Sequence, residues 1–482
     1  MRLPALAAAP LALGLTLATS VAVAPSASAA HDGTVHTTTT TTTDVPVATS
    51  ANVDLIANIP ETTAISMEFS PSAPFAYVSS LDTISVLDLA DPRAPKLRGT
   101  LVNALFENEA MTYGERTVGG VTTRFVLAGI DLYQASPSDP THVNADDGPE
   151  VLVVDVTDPD DPRPRGRVKA TTSTHTVQCV TQKDCRYAYT AGNRGGYSVL
   201  DLSDLDAPRE VVAKAPSPAA GPNPVFTRGA GHYWDFVTSG TRRIGWHTGS
   251  GGAAAFDVTD PVNPTLVTTT GAAGKETPLN DFILHNSMHP NATAFRPDAP
   301  PSIENGNLLV VTEEDYANEG DEIACDRAGS TQTWWIKRLD GTPDAVVPLD
   351  HKTISDFGGG LTTPAAAFCS AHWFDVHQAG FVAQGFYGAG LRILDVADPA
   401  NITQFGYATL GATEVWDAYW VPSYNKNGQA QSKKTNVVYT ADAVRGIDVY
   451  EVALPARKDV VASDGYGLPL SGDVTTDGSF FG

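Results

Sequence analysis

The sequence is poor in cysteine, in methionine and in basic residues. It has four cysteines and four methionines in 482 residues, and 31 Lys and Arg stand against 55 Asp and Glu. The formal net charge of −24 disfavours nucleic acid and anionic membrane surfaces as partners, because both repel a polyanion. Such a charge suits a protein that binds cations, although solubility alone also explains it.

Three further patterns are missing. No long stretch has the apolar spacing of an amphipathic helix, and no run after residue 30 is apolar enough to span a bilayer. No Gly-x-Ser-x-Gly sequence is present, which disfavours an ordinary serine hydrolase. Because Gly (42) and Pro (34) are abundant, we expect many short strands joined by turns.

Both ends of the chain are predicted to lie outside the folded domain. Arg2, an apolar stretch from Leu3 to Ala24 and small residues up to Ala30 form the pattern of a secretory signal peptide. We therefore predict a signal peptide over residues 1–30 and a secreted, extracellular protein; a membrane anchor is the alternative. Residues 31–50 include a run of Thr and are predicted to be a disordered linker. Residues 456–482 are assigned to a C-terminal tail.

The cysteines predict two disulfides, since their number is even and the chain is predicted to be exported. Cys179 and Cys185 flank a polar turn between two β-like runs, which favours a local bridge. Cys325 would then pair with Cys369 across a longer loop. The spacing of the four residues matches no zinc-site pattern.

A motif of an apolar strand, an Asp and a Pro-containing turn recurs through residues 51–455. The first Asp of the five clear copies is Asp88, Asp155, Asp201, Asp257 and Asp395. A degraded copy ends at Glu451, and the long interval between the fourth and fifth copies has room for two units. We interpret the Asp-x-x-Asp-Pro sequences as capped turns, because Asp accepts hydrogen bonds from turn amides and Pro ends a strand. Calcium binding by these aspartates is the alternative.

The motif, which reads Val151-Leu-Val-Val-Asp155-Val-Thr-Asp158-Pro159 in its second copy, resembles that of the LVIVD-repeat family of secreted or surface bacterial propellers. Together with the four strand-like runs that can be drawn around each copy, the resemblance implies an all-β, seven-bladed β-propeller of four-stranded antiparallel blades. A weaker resemblance is to the selenium-binding or methanethiol oxidase propellers, which hold copper through histidines. It rests on blade architecture and channel histidines, and no residue is carried over from it.

The last unit lacks a fourth strand of its own. Val53–Ile59, just before the first unit, resembles the other fourth strands and would latch the ring. Residues 458–462 are the competing candidate.

An alignment of the units on their first strands places residues of metal-ligating type at one equivalent position. These residues are Glu109, His175, His232, His285, His372 and Glu414. Because strand one lines the central channel of a propeller, we expect them to converge at one mouth. Imidazole and carboxylate suit copper, zinc, iron or manganese, so one transition-metal ion is the predicted cofactor. The groups predicted to lie beside the ligands are Asp235, His289, Glu313, Glu314, Asp315, Asp375, His377 and Asp417.

Three interpretations of this set remain open. The residues are hydrogen-bonding struts between blades, a metal site with a structural or binding role, or a catalytic metal site with an open coordination position. We expect a monomeric extracellular binding or interaction protein that takes a small molecule or an extracellular protein or polysaccharide and does not insert in a membrane. The alternative is a metal-dependent extracellular enzyme, an oxidoreductase.

Overall fold

The computed structural model describes residues 47–60, 63–80, 82–102, 109–130, 149–192, 196–214, 231–271, 277, 279, 283–315, 329–357 and 369–458. The chain divides into two compact units, residues 1–38 and 39–482, and everything described lies in the second. Its strands form seven antiparallel sheets, the blades of a β-propeller, so the predicted fold is confirmed. No α-helix occurs in the described ranges, and none of their elements is a helix with the length and apolar character needed to cross a membrane.

Strands β1 (Val47–Thr49) and β2 (Val53–Ile59) precede blade one and join later blades. Blade one contains β3 (Ser66–Phe69), β4 (Phe75–Ser79), β5 (Thr83–Asp88) and β6 (Lys96–Val102). Blade two contains β7 (Thr112–Val118), β8 (Val121–Ile130), β9 (Glu150–Asp155) and β10 (Arg163–Lys169). Blade three contains β11 (Thr176–Cys179), β12 (Tyr187–Ala191), β13 (Tyr197–Asp201) and β14 (Arg209–Lys214).

Blade four contains β15 (Gly231–Ser239), β16 (Arg242–Gly249), β17 (Gly252–Asp257) and β18 (Thr265–Thr269). Blade five contains β19 (Ile283–Met288), β20 (Leu308–Glu314), β21 (Ser330–Ile336) and β22 (Val346–Lys352). Blade six contains β23 (Phe374–Val376), β24 (Phe381–Gly385), β25 (Leu391–Asp395) and β26 (Thr403–Leu410). Blade seven contains β27 (Val415–Tyr424), β28 (Ala430–Asp442) and β29 (Gly446–Val452).

Both aspartates of the recurrent motif cap the turn that follows the third strand of a blade. In blade two, Asp155 accepts a hydrogen bond from the Thr157 amide at 2.9 Å, and Asp158 accepts one from the Asp160 amide at 3.1 Å. The same bonds recur at Asp88, Asp91, Asp201, Asp204, Asp257, Asp260, Asp395 and Asp398. Turn capping is therefore confirmed, since these carboxylates satisfy amides that strand pairing leaves free.

Hydrogen bonds between neighbouring blades come from a second position of strand one, three residues after the predicted ligand position. The acceptor side chains there are Thr112, Asp235, Asp375 and Asp417, and the donors are the amides of Cys179, His289, Trp420 and Met67 respectively. The three aspartate bonds measure between 2.8 and 3.0 Å. Polar struts therefore do exist at this position of the propeller.

The ring is closed by β2, which pairs with β29 from Val53 opposite Val452 to Ile59 opposite Ile447. The predicted latch by Val53–Ile59 is thus confirmed over the C-terminal candidate. An unexpected strand lies beside it in sequence: β1 pairs with β26 and makes blade six five-stranded. These residues fall at the end of the predicted linker, and pairing with the outer strand satisfies backbone groups of a sheet edge.

A disulfide joins Cys179 to Cys185, with a Cα–Cα distance of 5.4 Å, as predicted. It closes a short loop that contains the 3-10 turn Gln182–Asp184. Cys369 is also in a disulfide, whereas Cys325 lies outside the described residues. The predicted signal peptide lies outside them as well.

Candidate metal centre

The predicted ligand position occurs at the start of the first strand in successive blades. Glu109, His175 and His372 stand just before β7, β11 and β23, while His232 and His285 lie near the starts of β15 and β19. All five residues are buried, with at most 7% of the surface of each residue exposed. Because each inner strand begins at the same mouth of the channel, residues far apart in sequence meet there.

The carboxylate of Glu109 is the centre of this cluster. Its Oε1 atom lies 2.7 Å from Nε2 of His285, 3.0 Å from Nε2 of His372 and 3.4 Å from Nε2 of His232. Its Oε2 atom contacts Nε2 of His175. The Nε2 atoms of His175 and His232 are 3.1 Å apart. We call these five residues the histidine ring.

Two hydrogen bonds orient ring histidines, one to a backbone carbonyl and one to a side-chain amide. Nδ1 of His372 donates to the carbonyl oxygen of Trp416 at 2.9 Å. Nδ1 of His285 lies 3.2 Å from Oδ1 of Asn286, an atom that also accepts a bond from the Thr312 hydroxyl. Because both partners are acceptors, Nδ1 of each ring is the donor in these bonds, and the Nε2 atom of each ring faces Glu109.

Glu314, which the sequence placed among the neighbouring groups, lies beside the ring at the end of β20. Its carboxylate oxygens are 3.8 Å from Nε2 of His285 and 3.9 Å from Nε2 of His372. The hydroxyl of Tyr387 donates to Glu314 Oε1 at 2.5 Å. The sequence did not indicate Tyr387, which reaches the ring because its backbone pairs with Val415 of the next blade at 3.0 Å.

Glu414 is the one predicted ligand that the structure does not bring into the cluster. Its carboxylate accepts a hydrogen bond from the Trp416 indole at 3.0 Å and is only half-buried. Strand-one alignment gives a residue's height on the axis, but the local backbone decides where its side chain points.

The two predicted neighbouring histidines belong to the blade interiors. His289 donates from Nε2 to the Gly306 carbonyl at 2.7 Å and accepts from the Trp246 indole at 3.3 Å. His377 accepts from the Ala379 amide at 3.1 Å and packs on Trp420, with ring centroids 4.9 Å apart. His289 follows His285 in the chain, and His377 follows His372. Each therefore lies at the far end of the first strand of its blade, away from the channel mouth.

The remaining predicted neighbours also make other contacts. Asp235, Asp375 and Asp417 are the struts described above. Glu313, next to Glu314 on β20, accepts from the Ser330 hydroxyl at 3.2 Å, because adjacent strand residues face opposite sides of a sheet. Asp315 is held through its amide by the Ser370 hydroxyl at 2.9 Å.

An aromatic layer closes the axis beneath the ring. The Trp373 indole lies 4.8 Å from the His285 ring and 4.7 Å from the Tyr233 ring, as measured between centroids. Below it, burial raises the pKa of Glu68 well above its usual value, and the nearby carboxylate of Asp417 adds to the rise. Beneath the ring, aromatic side chains and buried carboxyl groups therefore lie together.

Burial and mutual proximity perturb the ring side chains strongly. Burial lowers the pKa of His232 and His285, and neighbouring histidines lower it further. For His372 burial acts in the same direction, but bonds and charges from Glu109 and Glu314 raise its pKa above the usual value. Burial alone would raise the pKa of Glu109, yet the surrounding histidines hold it well below its usual value. Such concentrated perturbation is typical of functional sites.

Comparison with known proteins yields likeness in structure only. No family model matches the chain, and no curated protein matches it. A crystal structure of the β-propeller domain of Cps50 (Swd1) from Myceliophteria thermophila is similar with a TM-score of 0.50 and 12% identity. That likeness covers 83% of this chain and 99% of that one. The WD40 β-propeller domain of Doa1 has a TM-score of 0.46 and 8% identity, covering 85% of this chain and 99% of that one. At such identities a likeness shows the fold alone, which is that of a β-propeller.

Proposed function

We propose that this chain is an exported metal-binding β-propeller whose histidine ring holds divalent transition metal. One observation carries the proposal. The Nε2 atoms of oriented, buried imidazoles converge on the carboxylate of Glu109, with His285 at 2.7 Å and His372 at 3.0 Å. A metal cation among these atoms would bond several of them at once, whereas a proton bridges only one nitrogen and one oxygen.

The spacing of the donors suits metal ligation. Ligand atoms at about 2.0–2.1 Å from one ion lie about 2.9–3.4 Å from their neighbours. Three separations in the ring, 3.0, 3.1 and 3.4 Å, fall in that range, and the contact of Glu109 with His285 is shorter at 2.7 Å. Hydrogen bonds to the far nitrogens of His285 and His372 are of the kind that fix the tautomer and orientation of metal-binding histidines.

The donor set also narrows the choice of metal. Imidazole with carboxylate suits zinc, copper, iron and manganese, whereas calcium and magnesium prefer oxygen ligands. The ring, with four imidazoles and Glu109, therefore favours a transition metal over calcium or magnesium.

Metal analysis of protein prepared without a histidine tag tests the proposal. We expect stoichiometric transition metal by mass spectrometry, and added metal should raise the unfolding temperature of chelator-treated protein, because a ligand of the native state stabilises it. A variant with both His285→Gln and His372→Gln should lose at least tenfold in metal affinity.

The matched control is His289→Gln, which removes a buried histidine of blade five outside the ring. It should lower stability, since His289 bonds Gly306 and Trp246, and leave metal content unchanged. If the wild-type protein retains no metal and binds none at micromolar concentration, the ring residues are struts and the proposal is wrong.

A second candidate function is a metal-dependent oxidoreductase, and the pair of Tyr387 and Glu314 favours it. Their 2.5 Å hydrogen bond places a proton donor and a carboxylate beside the ring, as proton-coupled chemistry at a metal requires. Azide added to copper-loaded protein should change the visible and paramagnetic resonance spectra if a coordination position is open. Unchanged spectra would leave metal binding in place and remove the enzyme candidate.

Export and family membership are part of the proposal. The pattern of residues 1–30 and the disulfide between Cys179 and Cys185 support secretion. The recurrent motif supports membership of the LVIVD-repeat family. Recovery of the protein from culture medium, with an N-terminus near His31, tests the export step.

A further inference from the structure

The ligand atoms of the ring fall into two groups that share Glu109. In one group Glu109 stands with His175 and His232, and in the other with His285 and His372. Within each group the ligand atoms all lie within 4.8 Å of one another. Atoms that ligate a single ion at about 2.1 Å lie within about 4.2 Å of one another. The 3.1 Å between His175 and His232, and the 2.7 and 3.0 Å from Glu109 to His285 and His372, meet that limit.

The two oxygens of Glu109 face different histidines. Oε2 contacts His175, whereas Oε1 is 2.7 Å from His285, 3.0 Å from His372 and 3.4 Å from His232. A carboxylate whose two oxygens meet different histidines can act as a bridging ligand. His232 joins the first group through its 3.1 Å approach to His175.

Glu314 supplies a further carboxylate on one side of the ring. It lies 3.8 Å from His285 and 3.9 Å from His372, and it forms a third group with His232 and His285. The donor inventory is then four imidazoles and two carboxylates. Two ions sharing Glu109 would each have three donors from the ring, and the second would also have Glu314 in reach.

From these positions we infer that the ring binds two divalent transition-metal ions bridged by Glu109. His175 and His232 ligate one ion, and His285 and His372 ligate the other. The inference rests on the proposed metal-binding function and adds its stoichiometry and architecture. Paired ions in such sites are about 3.5–4 Å apart and can hold one small oxygen-containing ligand between them.

Titration of chelator-treated full-length protein with Cu²⁺ tests this architecture. We expect two copper ions per chain by calorimetry and by metal analysis. Because neighbouring Cu²⁺ ions couple magnetically, the paramagnetic resonance signal should account for much less than the total copper. In Glu109→Gln the signal should rise towards the total, since the charged bridge is gone.

Paired variants separate the two halves of the centre. A variant with His175→Gln and His232→Gln and one with His285→Gln and His372→Gln should each retain one copper ion per chain with an uncoupled signal. His289→Gln should still bind two. Circular dichroism and thermal unfolding of each apo variant identify any that fail to fold, and single substitutions then replace the pair.

The outcomes distinguish this inference from the function on which it rests. One ion per wild-type chain, lost altogether in either paired variant, overturns the bridged pair and leaves metal binding intact. No bound copper at all overturns both. Two ions with a full, uncoupled signal place the second copper outside the ring and overturn the bridge.

Discussion

At the scale of single residues, Gly192 allows the backbone of blade three to pack closely against His175 of the ring. Its φ of +150° is rarely adopted by residues with a side chain. A Cβ atom there would lie 2.1 Å from the Ser173 hydroxyl oxygen and 2.8 Å from Cβ of His175. The glycine therefore keeps the backbone against the histidine and holds that side chain in the ring.

We expect Gly192→Ala to weaken metal binding by about tenfold to a hundredfold, the range seen when the surroundings of a metal ligand are disturbed. The added methyl group must displace His175 or the backbone that carries it. Calorimetric titration of the apo protein with Cu²⁺ measures the change.

Gly240→Ala is the matched control for this substitution. Gly240 also has a positive φ, +61°, but a Cβ there would meet no atom within 4 Å. It should cost about 1 kcal/mol of stability through backbone strain and leave copper affinity unchanged. Equal loss of affinity in both variants would show that general destabilisation, and not the position of His175, weakens binding.

At the scale of strands, charged residues join the elements in two different environments. On the outer surface, Arg165 of β10 bridges Asp155 of its own blade at 3.3 Å and Asp206 of the next blade at 2.8 Å. In the interior, Lys434 of β28 pairs with Asp375 of β23, and both side chains are almost fully buried. Water screens the exposed ion pairs of Arg165, so they contribute little to stability. The buried charge of Lys434 has no such screening and is compensated by the carboxylate of Asp375.

Asp375→Asn is therefore expected to lower the free energy of unfolding by about 3–5 kcal/mol, because it leaves a buried ammonium group without its counter-charge. Arg165→Ala should cost less than about 1 kcal/mol. Denaturant unfolding of the two variants gives both values. Combining Asp375→Asn with Lys434→Met should recover part of the loss, and a double variant as unstable as the single one would argue against the charge explanation.

At the scale of the whole molecule, the closure of the ring joins the two ends of the described chain. Strand β2 completes blade seven, and its Asn58 side chain donates to Asp448 at 2.8 Å and to the Arg445 carbonyl at 3.0 Å. Val53 is buried in the core between blades six and seven. Without this strand β29 would be an open edge, and blade seven would lose part of its packing.

Removal of residues 1–60 should therefore lower stability by several kcal/mol, since each buried aliphatic side chain lost with β2 contributes about 1.5–3 kcal/mol. Blade seven should also become the first site of proteolysis. Removal of residues 1–50, which deletes β1 and keeps β2, is the control and should change stability little. Thermal unfolding and limited proteolysis measure the stability of the two truncated proteins. If both truncations destabilised the protein equally, the closure of the ring would be assigned to β1.

The sequence predicted the scaffold well because its signals are local and repeated. Each Asp-x-x-Asp-Pro turn recurs with its strand, and the turn chemistry at Asp155 and Asp158 depends on neighbouring amides only. The same repetition aligned His175, His232, His285 and the other first strands. β1 was missed because three residues with no repeat partner carry no such signal.

By itself, then, the sequence determined the repeated blade unit, its turn chemistry and the height of the ring residues on the axis, since all of these follow from a periodic pattern along the chain. Only the tertiary structure decided which residues meet. It placed Glu109 at the centre, added Tyr387 and turned Glu414 and His289 elsewhere. The physical reason is that a contact across the axis depends on side-chain direction and on the closed ring, and neither is written in the spacing of one repeat.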